Sequence, residues 1–480
     1  MKRLTIALSF VAIITSQSVS RYAIAQELRA GAATSNITPD LGIAIVGGFA
    51  PFPSTHIHDE LHARCLVLDD GRTTLALVVC DLLGMDHRIS TEARKIIQQR
   101  LKLAPERVLI SGTHTHSAGT AMGQDRFKYD QPMDDYQKFI ARRIADGVTC
   151  AHHNLRPAEL GFGTAEAPEH VFNRRWLMRP GTVPPNPFGG DDLVKMNPPR
   201  ASPNLVKPAG PTDPTISFIA VRDKEGALIS VFTAYSLHYV GGVGPGHISA
   251  DYFGMYCEDL KRLLNAEQQN PKNPPFVAMM ANGTSGDINN INFREAPPQR
   301  APYEQMRHVA QDVARKVYEA LGKVDYRDKM TLDSRYREPQ IGWRKPTAEQ
   351  MEWATKTIAK GKPPEGKTDL SFIYAERTMR MAEHPDSMPL PLQVLRIGDI
   401  CIGTMPNEVF CEIGLEFKSR SPLQPAFMVS LNHGYFGYLP TPQQHQLGGY
   451  ETWLGTNRLE PNASVKMLDM LLEMAGEMKQ

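Results

Sequence analysis

The amino-acid sequence predicts an α/β protein in which layered, mixed β-sheets are flanked by helices. Two observations support this fold class. Apolar runs of strand length occur in pairs around short polar turns, and longer segments with helical periodicity follow them. Strands and helices that alternate along a chain are typical of layered α/β proteins. We expect residues 26–480 to form a single composite domain.

The first strand pair and the helix after it are predicted between residues 63 and 111. Ala63 to Asp69 and Thr74 to Cys80 are apolar and flank the turn at Asp70-Gly71, so we expect two strands joined by a tight turn. Ser90 to Leu101 has helical periodicity after a Ser cap, and Arg107 to Ser111 is predicted to be a buried strand.

The middle of the chain continues this alternation. Gln137 to Cys150 is a predicted helix. Ile216 to Val221 and Leu228 to Ala234 predict a second strand pair around the turn from Asp223 to Gly226. A helix over Arg307 to Leu321 follows, so strands and helices keep alternating.

Two stretches interrupt the alternation. Arg179 to Pro214 is rich in Pro, Gly and Asn, which predicts a long surface loop or lid. Trp343 to Glu383 has helical composition, with predicted helices at Ala348 to Lys360 and Asp369 to Met381. The chain is expected to return to a strand at Leu392 to Ile402.

The N-terminus has the pattern of a signal peptide over residues 1–25. Met1-Lys2-Arg3 is positive, Leu4 to Ile14 is apolar, and Ala23-Ile24-Ala25 has the small-x-small pattern of a cleavage site. The alternative is an uncleaved membrane anchor, although the apolar run is shorter than the roughly 20 residues that span a bilayer. No later stretch is apolar for long enough to cross a membrane. We therefore expect a secreted or periplasmic protein without stable membrane insertion.

The charge balance argues against nucleic acid as a partner. Cleavage after residue 25 removes three positive charges, Lys2, Arg3 and Arg21, so the formal net charge falls from +1 to −2. Proteins that bind nucleic acid usually carry a strong basic excess. The expected partner is instead a small molecule or a lipid.

The cysteines suggest neither a thiolate metal site nor a redox motif. None of the six forms a Cys-x-x-Cys pair. Cys65, Cys80 and Cys401 lie in apolar, strand-like runs, where cysteine commonly behaves as a small hydrophobic residue. We expect buried thiols, with one disulfide possible in an exported protein.

The strongest local motif is His114-Thr115-His116, which directly follows the apolar run Val108 to Ile110. Residues i and i+2 of an extended chain point to the same face, so two imidazoles at a strand end can converge on a metal or a substrate. A pair of hydrogen-bonded histidines at a sheet edge is the alternative. The motif alone favours metal only modestly because it is short.

Three other metal or hydrolase patterns have weaker support. His58 to His62 resembles a zincin helix, but its glutamate is one position too late for the general base and the segment leads into a strand. The Gly-x-Ser-x-Gly elbow of α/β-hydrolases is absent. An amidohydrolase barrel would need further well-placed histidines and a regular eight-fold βα repeat.

The chain resembles the neutral/alkaline ceramidase family over about residues 30–455. The resemblance rests on motifs that occur in family order: Gly31 to Pro39, Gly47-Gly48-Phe49, Ala63 to Gly71, Thr113 to Ser117, Asn173-Arg174, Leu237-His238, His247 to Asp251, Asn282 to Asp287, Pro406-Asn407-Glu408 and Gly434 to Thr441. Singly these motifs are weak, but their ordered combination is fairly specific.

The resemblance implies a Zn²⁺ ion held by two histidines, a glutamate and a tyrosine. The family motifs place these ligands at His114, His238, Glu408 and Tyr438. Asn407 replaces the glycine that precedes the glutamate in the family, and Tyr435 is the alternative tyrosine. Such a set leaves zinc an open position for hydrolysis.

The resemblance also implies catalytic residues around the metal. His116 matches a histidine at the substrate, and Arg174 matches an active-site arginine that could stabilise an oxyanion. A surface ion pair beside Arg175 is the alternative for Arg174. Asp287 and Asn289 are expected to line the pocket.

Two departures from the family pattern affect mechanism and substrate. Asn289 stands where the family has an active-site serine, and asparagine cannot accept an acyl group. We therefore expect hydrolysis of an N-acyl bond by water that the metal activates, with no acyl-enzyme. The family's C-terminal immunoglobulin-like domain is expected to be absent. Alternatives are a metal hydrolase of another amide or ester, or a metal-containing binding protein without catalysis.

Overall fold

The computed structural model describes residues 27–123, 125–266, 273–364 and 367–479. The predicted signal peptide lies outside these ranges. Over the described residues the chain forms stacked mixed sheets flanked by helices, which confirms the predicted fold class.

The strands are, in chain order, β1 (Arg29–Asn36), β2 (Ala44–Ile45), β3 (Phe52–Pro53), β4 (His56–Ile57), β5 (His62–Asp69), β6 (Thr74–Cys80), β7 (Val108–Gly112), β8 (Arg156–Glu166), β9 (Phe172–Asn173), β10 (Arg175–Met178), β11 (Val194–Met196), β12 (Leu205–Pro208), β13 (Thr215–Asp223), β14 (Leu228–Tyr235), β15 (His247–Ile248), β16 (Val277–Asn282), β17 (Ile288–Asn289), β18 (Leu332–Arg337), β19 (Gln340–Gly342), β20 (Ser387–Pro389), β21 (Leu392–Ile397), β22 (Ile400–Thr404), β23 (Glu408–Val409), β24 (Ala426–Val429) and β25 (Tyr438–Leu439). The helices are α1 (His87–Leu101), α2 (Asp135–His153), α3 (Asp251–Leu263), α4 (Glu304–Leu321), α5 (Ala348–Ile358), α6 (Leu370–Glu383), α7 (Cys411–Arg420), α8 (Pro442–Leu447) and α9 (Ala463–Glu477).

Two sheets form the centre of the molecule. The larger has eight strands in the order β16-β14-β13-β8-β1-β5-β6-β7, and the smaller has the order β18-β21-β22-β24. In the larger sheet, β1 and β8 pair through only two residue pairs, so two four-stranded halves meet at a narrow junction. Each sheet mixes parallel and antiparallel pairs, as predicted.

The sheets bury their apolar faces against each other and against helices. Leu66 and Phe232 of the larger sheet share one buried cluster with Ile402 and Phe427 of the smaller sheet. The opposite face of the larger sheet packs on α1 and α2 in one half and on α3 and α4 in the other. The outer face of the smaller sheet packs on α7 and α9. The result is a helix–sheet–sheet–helix arrangement with most apolar strand residues buried.

Three sequence predictions need correction. Helix α1 begins at His87, where the Asp86 carboxylate accepts from Arg88 N, and Ser90 is buried inside the helix rather than capping it. The predicted loop 179–214 contains β11 and β12, which join β10 in a three-stranded sheet. The strand predicted over 392–402 is two strands, β21 and β22, which pair as a hairpin. The other predicted strand pairs and helices agree with the structure within a few residues.

Loops that follow several strands meet at one edge of the sheet stack. Gly112 N donates to Leu431 O at 3.2 Å, which ties the end of β7 to the segment after β24. The Asn282 side-chain amide donates to Thr113 O at 3.0 Å, and Ser430 N donates to Asn282 O at 2.9 Å. Residues that are far apart in sequence therefore lie side by side here, and the predicted site residues are among them.

The six cysteines are free thiols in the structure. Five are buried, and Cys150 on α2 is exposed. The possible disulfide considered from the sequence is therefore not formed. No helix among the described residues combines the length and apolarity needed to span a bilayer.

Candidate metal and catalytic site

His114 lies just beyond β7 in a left-handed backbone conformation, with φ of 78°. The side chain is buried, and its Nδ1 is 2.5 Å from Leu83 O. Because a carbonyl oxygen only accepts, Nδ1 carries the hydrogen and Nε2 of a neutral ring carries a lone pair. The two histidines of the motif therefore do not converge through strand alternation, as the sequence suggested, but through this turn at the strand end.

His238 reaches the same point from the loop after β14. Its Nδ1 is 3.0 Å from Ser285 O, so this ring too carries its hydrogen on Nδ1. Its Nε2 is 3.0 Å from His114 Nε2. The histidine is buried, and burial, together with the neighbouring cationic groups, lowers its pKa well below the usual value.

Glu408 comes from β23 and faces both histidines. Its Oε2 is 3.2 Å from His114 Nε2 and 3.7 Å from His238 Nε2, and it has no hydrogen-bond partner within the described residues. Its Oε1 accepts from Tyr435 Oη at 2.6 Å. A Cβ on Gly286 would lie 2.5 Å from Glu408 O, so glycine is required for the loop after β16 to approach this strand.

The facing nitrogens and the carboxylate have the geometry of a metal site. His116 Nε2 lies 3.2 Å from His114 Nε2, and the ligand atoms of His114, His116 and His238 all lie within 4.8 Å of one another. A proton on His114 Nε2 could form a hydrogen bond with only one of its three close neighbours, His238 Nε2, His116 Nε2 and Glu408 Oε2. A cation would satisfy all of them, because imidazole nitrogen and carboxylate oxygen are common zinc ligands.

His116 completes the cluster from its outer side. It is stacked on Tyr239 with ring centroids 3.6 Å apart and hydrogen-bonds the backbone of Gly47. A Cβ on Gly47 would lie 2.5 Å from His116 O. Burial, followed by the charge of His114, lowers the pKa of His116 well below the usual value. His116 is therefore a neutral base within reach of the other two rings.

Arg174 is buried in the site and is not part of a surface ion pair. Its NH1 is 3.3 Å from His238 Nε2, and its Nε donates to Glu451 Oε1 at 2.9 Å. Arg175, also buried, donates to Glu451 Oε2 at 2.7 Å. The NH2 of Arg174 is buried without a partner in the described structure. One donor of this guanidinium is thus free to bind a ligand oxygen.

Two tyrosines lie beside the glutamate. Tyr438 pairs with Glu408 across the β23–β25 bridge, and its ring centroid is 5.3 Å from Arg174 Cζ. Burial raises the pKa of Tyr438 well above its usual value, so the phenol is neutral and can donate. Tyr435, the alternative ligand, already donates to the far oxygen of Glu408. The structure thus brings both candidates to the carboxylate, on different sides.

Asp287 and Asn289 are held by the scaffold next to the site. Asp287 is fully buried and accepts from the Asn173 side chain at 2.6 Å and from Cys411 N at 2.8 Å. Burial raises its pKa to about 6. The Asn289 amide donates to Asn197 Oδ1 at 2.8 Å, in the loop that follows β11. Both side chains hydrogen-bond to segments that are distant in sequence.

Glu451 is a site residue that the sequence did not reveal. It follows Gly448 and Gly449, both of which have positive φ, and it is fully buried between two arginines. The one sequence feature that could have indicated Glu451 is its position shortly after the Gly448-Gly449 pair. It is a weak one, because its partners are more than 270 residues away.

The zincin-like segment does not form a helix. His56–Ile57 is a short strand, His58 Nδ1 lies 2.6 Å from Asp59 Oδ1, and His62 begins β5. A second group of possible ligand atoms, Glu169, His170 and Asp312, is bridged by Lys316 to both carboxylates. We interpret that group as an ion-pair network, because a lysine ammonium already holds the position a cation would take.

The comparisons with known proteins point to one family. The sequence model described as "Neutral/alkaline non-lysosomal ceramidase, N-terminal" matches residues 29–297, which include His114, His116, Arg174 and His238. Glu408 and Tyr438 lie beyond the matched part.

Two solved structures share the fold along nearly the whole chain. A neutral ceramidase from Pseudomonas aeruginosa matches with a TM-score of 0.70 and 17% identity, covering 95% of this chain and 75% of that one. A structure described as a ceramidase complexed with C2 matches with a TM-score of 0.69, also at 17% identity, with the same coverage. On the match of its sequence over residues 29–297, the chain belongs to the neutral/alkaline non-lysosomal ceramidase family of amide-bond hydrolases.

Proposed function

We propose that this protein is a zinc-dependent hydrolase of an N-acyl amide bond, with His114, His238 and Glu408 as metal ligands and Tyr438 as the fourth. The observation that carries the proposal is the buried, unpaired Glu408 Oε2 facing two Nε2 atoms whose rings are both protonated on Nδ1. Without a cation, these electron-rich atoms would repel one another.

The donor set fits zinc, and the chain supplies the remaining groups. Zinc would contribute the Lewis acidity that activates water towards the amide carbonyl. The free NH2 of Arg174 and the neutral phenol of Tyr438 would donate to the oxygen that becomes negative in the tetrahedral intermediate. His116 is the neutral base that would take a proton from water and return it to the leaving amine.

Asp287 and Asn289 have supporting roles in this proposal. Asp287 holds the loop before β17 against the start of α7, and Arg174 N donates to its backbone oxygen at 2.8 Å. Asn289 fixes the segment around Asn197. Ser285 takes no part in bond breaking, because its hydroxyl donates to Asn282 Oδ1 at 2.7 Å and lies on the Nδ1 side of His238.

The substrate in this proposal is an N-acyl compound smaller or more polar than ceramide. Asn289 replaces the family's serine, and its amide suits a polar environment. A cavity of about 690 Å³, lined by Val183, Val194, Met196, Tyr450 and Trp453 among others, provides apolar space for an acyl chain. Ceramide as the best substrate in a panel of N-acyl amines, amino acids and sugars would refute this choice.

The metal assignment is tested by metal analysis of purified variants. We expect one zinc per chain in the wild type, and loss of zinc with retention of the fold in His114→Ala and His238→Ala. His62→Ala is the matched control and should keep its zinc, because His62 lies in β5 beside Glu60. Near-stoichiometric zinc in both cluster variants would refute the ligand assignment. Zinc without turnover of any acyl amide or ester would favour a binding protein.

Export is also part of the proposal. The basic and apolar pattern of residues 1–25 supports a cleaved signal peptide. Expression of the full chain should give exported protein whose first residue is Gln26. Protein that stays in the cell with Met1 intact would contradict it.

A further inference from the structure

A separate cavity of about 470 Å³ lies next to the candidate metal site. Its walls come from residues 44–51, residues 120–123 and 125–127, Asp134 and helix α6. Gly47, within the first wall segment, is in contact with His116, and Ile45 forms a bridge to Gly119. The cavity is therefore lined by the chain segment that follows the His114–His116 motif and by residues 44–51, which contact the motif in space.

Two arginines in this wall lack a carboxylate partner. Arg377 is only 6% exposed, and its side chain contacts neutral groups: Thr456 Oγ1 at 3.2 Å and the rings of Tyr374 and Phe49. Arg126 is half-buried, with Cζ 5.9 Å from the centroid of Phe127. Among the described residues neither guanidinium forms an ion pair.

A third arginine adds to the positive charge behind the wall. Arg458 is 1% exposed and donates to Arg126 O at 3.0 Å and to Tyr129, again without a carboxylate in the described structure. Burial lowers the pKa of Arg377, and the charges of Arg126 and Arg458 lower it further. Burying a guanidinium without a counter-ion is costly in free energy, so a bound anion that is not part of the chain would account for this arrangement.

The carboxylates of the wall do not supply the missing counter-ion. Asp125 is bound by Arg380, and Asp134 caps α2 by accepting from Gln137 N at 2.8 Å. Glu376 lines the cavity but forms no ion pair with the described arginines. The two guanidiniums therefore remain available to an anion that enters from outside.

A short aromatic row connects this cavity to the metal site. Phe49 lies on its rim, 41% exposed, with its ring centroid 6.0 Å from Tyr450. Tyr450 is in turn 5.7 Å from Tyr438. Phe49 and Tyr450 also line the larger apolar cavity described above. A substrate could therefore place its amide at the histidines, its acyl chain in one cavity and its head group in the other.

We propose that Arg126 and Arg377 form an arginine pocket that binds an anionic group of the substrate, so that the enzyme acts on N-acyl compounds with a carboxylate, sulfonate or phosphate near the amide. This inference rests on the proposed amide hydrolysis and specifies its substrate class. Guanidinium groups bind such anions through paired hydrogen bonds. A free inorganic anion has the same chemistry, and the experiment separates the two sources.

The test compares kcat/KM for N-dodecanoylglycine with that for its neutral counterpart, N-dodecanoylglycinamide. The wild type should prefer the acid. The acid-to-amide ratio should fall about 10- to 100-fold in Arg377→Gln and in Arg126→Gln, the size expected for one lost charge-assisted hydrogen bond. Arg327→Gln, whose side chain is 62% exposed and forms an ion pair with the exposed Asp325, is the matched control and should leave the ratio unchanged. An unchanged ratio in Arg126→Gln, where the half-buried position tolerates substitution, would overturn the inference.

Calorimetric binding of N-dodecanoylglycine to His238→Ala, which should not turn it over, separates the two proposals. Binding that is lost on adding Arg377→Gln or Arg126→Gln supports the arginine pocket even if no amide is hydrolysed. Hydrolysis with no preference for the acid leaves the proposed function intact and overturns the pocket. Sulfate binding that depends on the arginines, without any preference for the acidic substrate, would assign the pocket to a free anion and also overturn the substrate class.

Discussion

Replacing Glu451 with Gln tests whether the buried charge network positions the active site. The carboxylate is fully buried and accepts from Arg174 Nε at 2.9 Å and Arg175 NH1 at 2.7 Å. The substitution preserves size but removes the negative charge shared by two buried guanidiniums. At an effective dielectric constant of about 20, one charge pair 4 Å apart is attracted by ~4 kcal/mol, and part of this is offset by desolvation. Breaking a buried pair typically costs about 3–5 kcal/mol.

We therefore expect Glu451→Gln to lower the free energy of unfolding by about 3–5 kcal/mol, measured by urea denaturation with the metal content held constant. Because Arg174 also contacts His238, kcat should fall on the order of 100-fold, as for misplaced catalytic groups.

The matched control is Glu319→Gln, which removes the charge of a surface pair with Arg315. The two side chains are 59% and 51% exposed, so the expected loss is below about 1 kcal/mol. A loss for Glu451→Gln no larger than that of the control, with unchanged kcat, would refute the positioning role.

Three further predictions concern residues around the metal site. Ser285→Ala should keep most of the activity and show no burst of product, because the Ser285 hydroxyl donates its hydrogen to Asn282 Oδ1. An acyl group trapped on Ser285 of the wild type in rapid-quench experiments would contradict this. Gly47→Ala should lower kcat/KM by at least about 10-fold while the fold is retained in circular dichroism, because the new Cβ would lie 2.5 Å from His116 O and must displace that residue. Burial raises the pKa of Asp287 to about 6, above the ~3.9 of an unfolded chain. The protonated carboxyl group therefore contributes to the free energy of unfolding below pH 4, and this contribution is lost as the pH rises through 6. The stability of Asp287→Asn relative to wild type should therefore rise by roughly 3 kcal/mol between pH 4 and pH 7 in urea titrations, and a constant difference would show that the carboxyl group is not perturbed.

Long apolar strands and helices were predictable from the sequence because their residues are apolar where the folded chain buries them. The strand at Thr74 to Cys80 is buried along almost its whole length, and the sequence there is continuously apolar. The short strands β11 and β12 lack such a pattern. They form because Val194 is buried and because both strands pair with β10, and a local window of sequence does not contain that information.

Within the site, residues that are close together in the sequence could be predicted, whereas contacts between distant residues could not. The His-x-His motif identified two neighbouring residues, but not the left-handed turn at His114 that aims them. His238 and Glu408 were placed through family resemblance, and their approach to His114 is a tertiary contact. Glu451 belonged to none of the motifs, and its buried contacts with Arg174 and Arg175 are visible only in the folded chain.

Because the two halves of the larger sheet meet at a narrow junction, a bound metal would also affect how firmly the halves are held together. His114 follows β7 in one half and His238 follows β14 in the other, whereas Glu408 lies in β23, between strands β22 and β24 of the smaller sheet. An ion bound by all three would add a cross-link between the two halves of the larger sheet, whose strands pair with each other through only the two residue pairs of β1 and β8. Chelation should then accelerate amide hydrogen exchange at the β1–β8 junction before it affects the interior strands of either half.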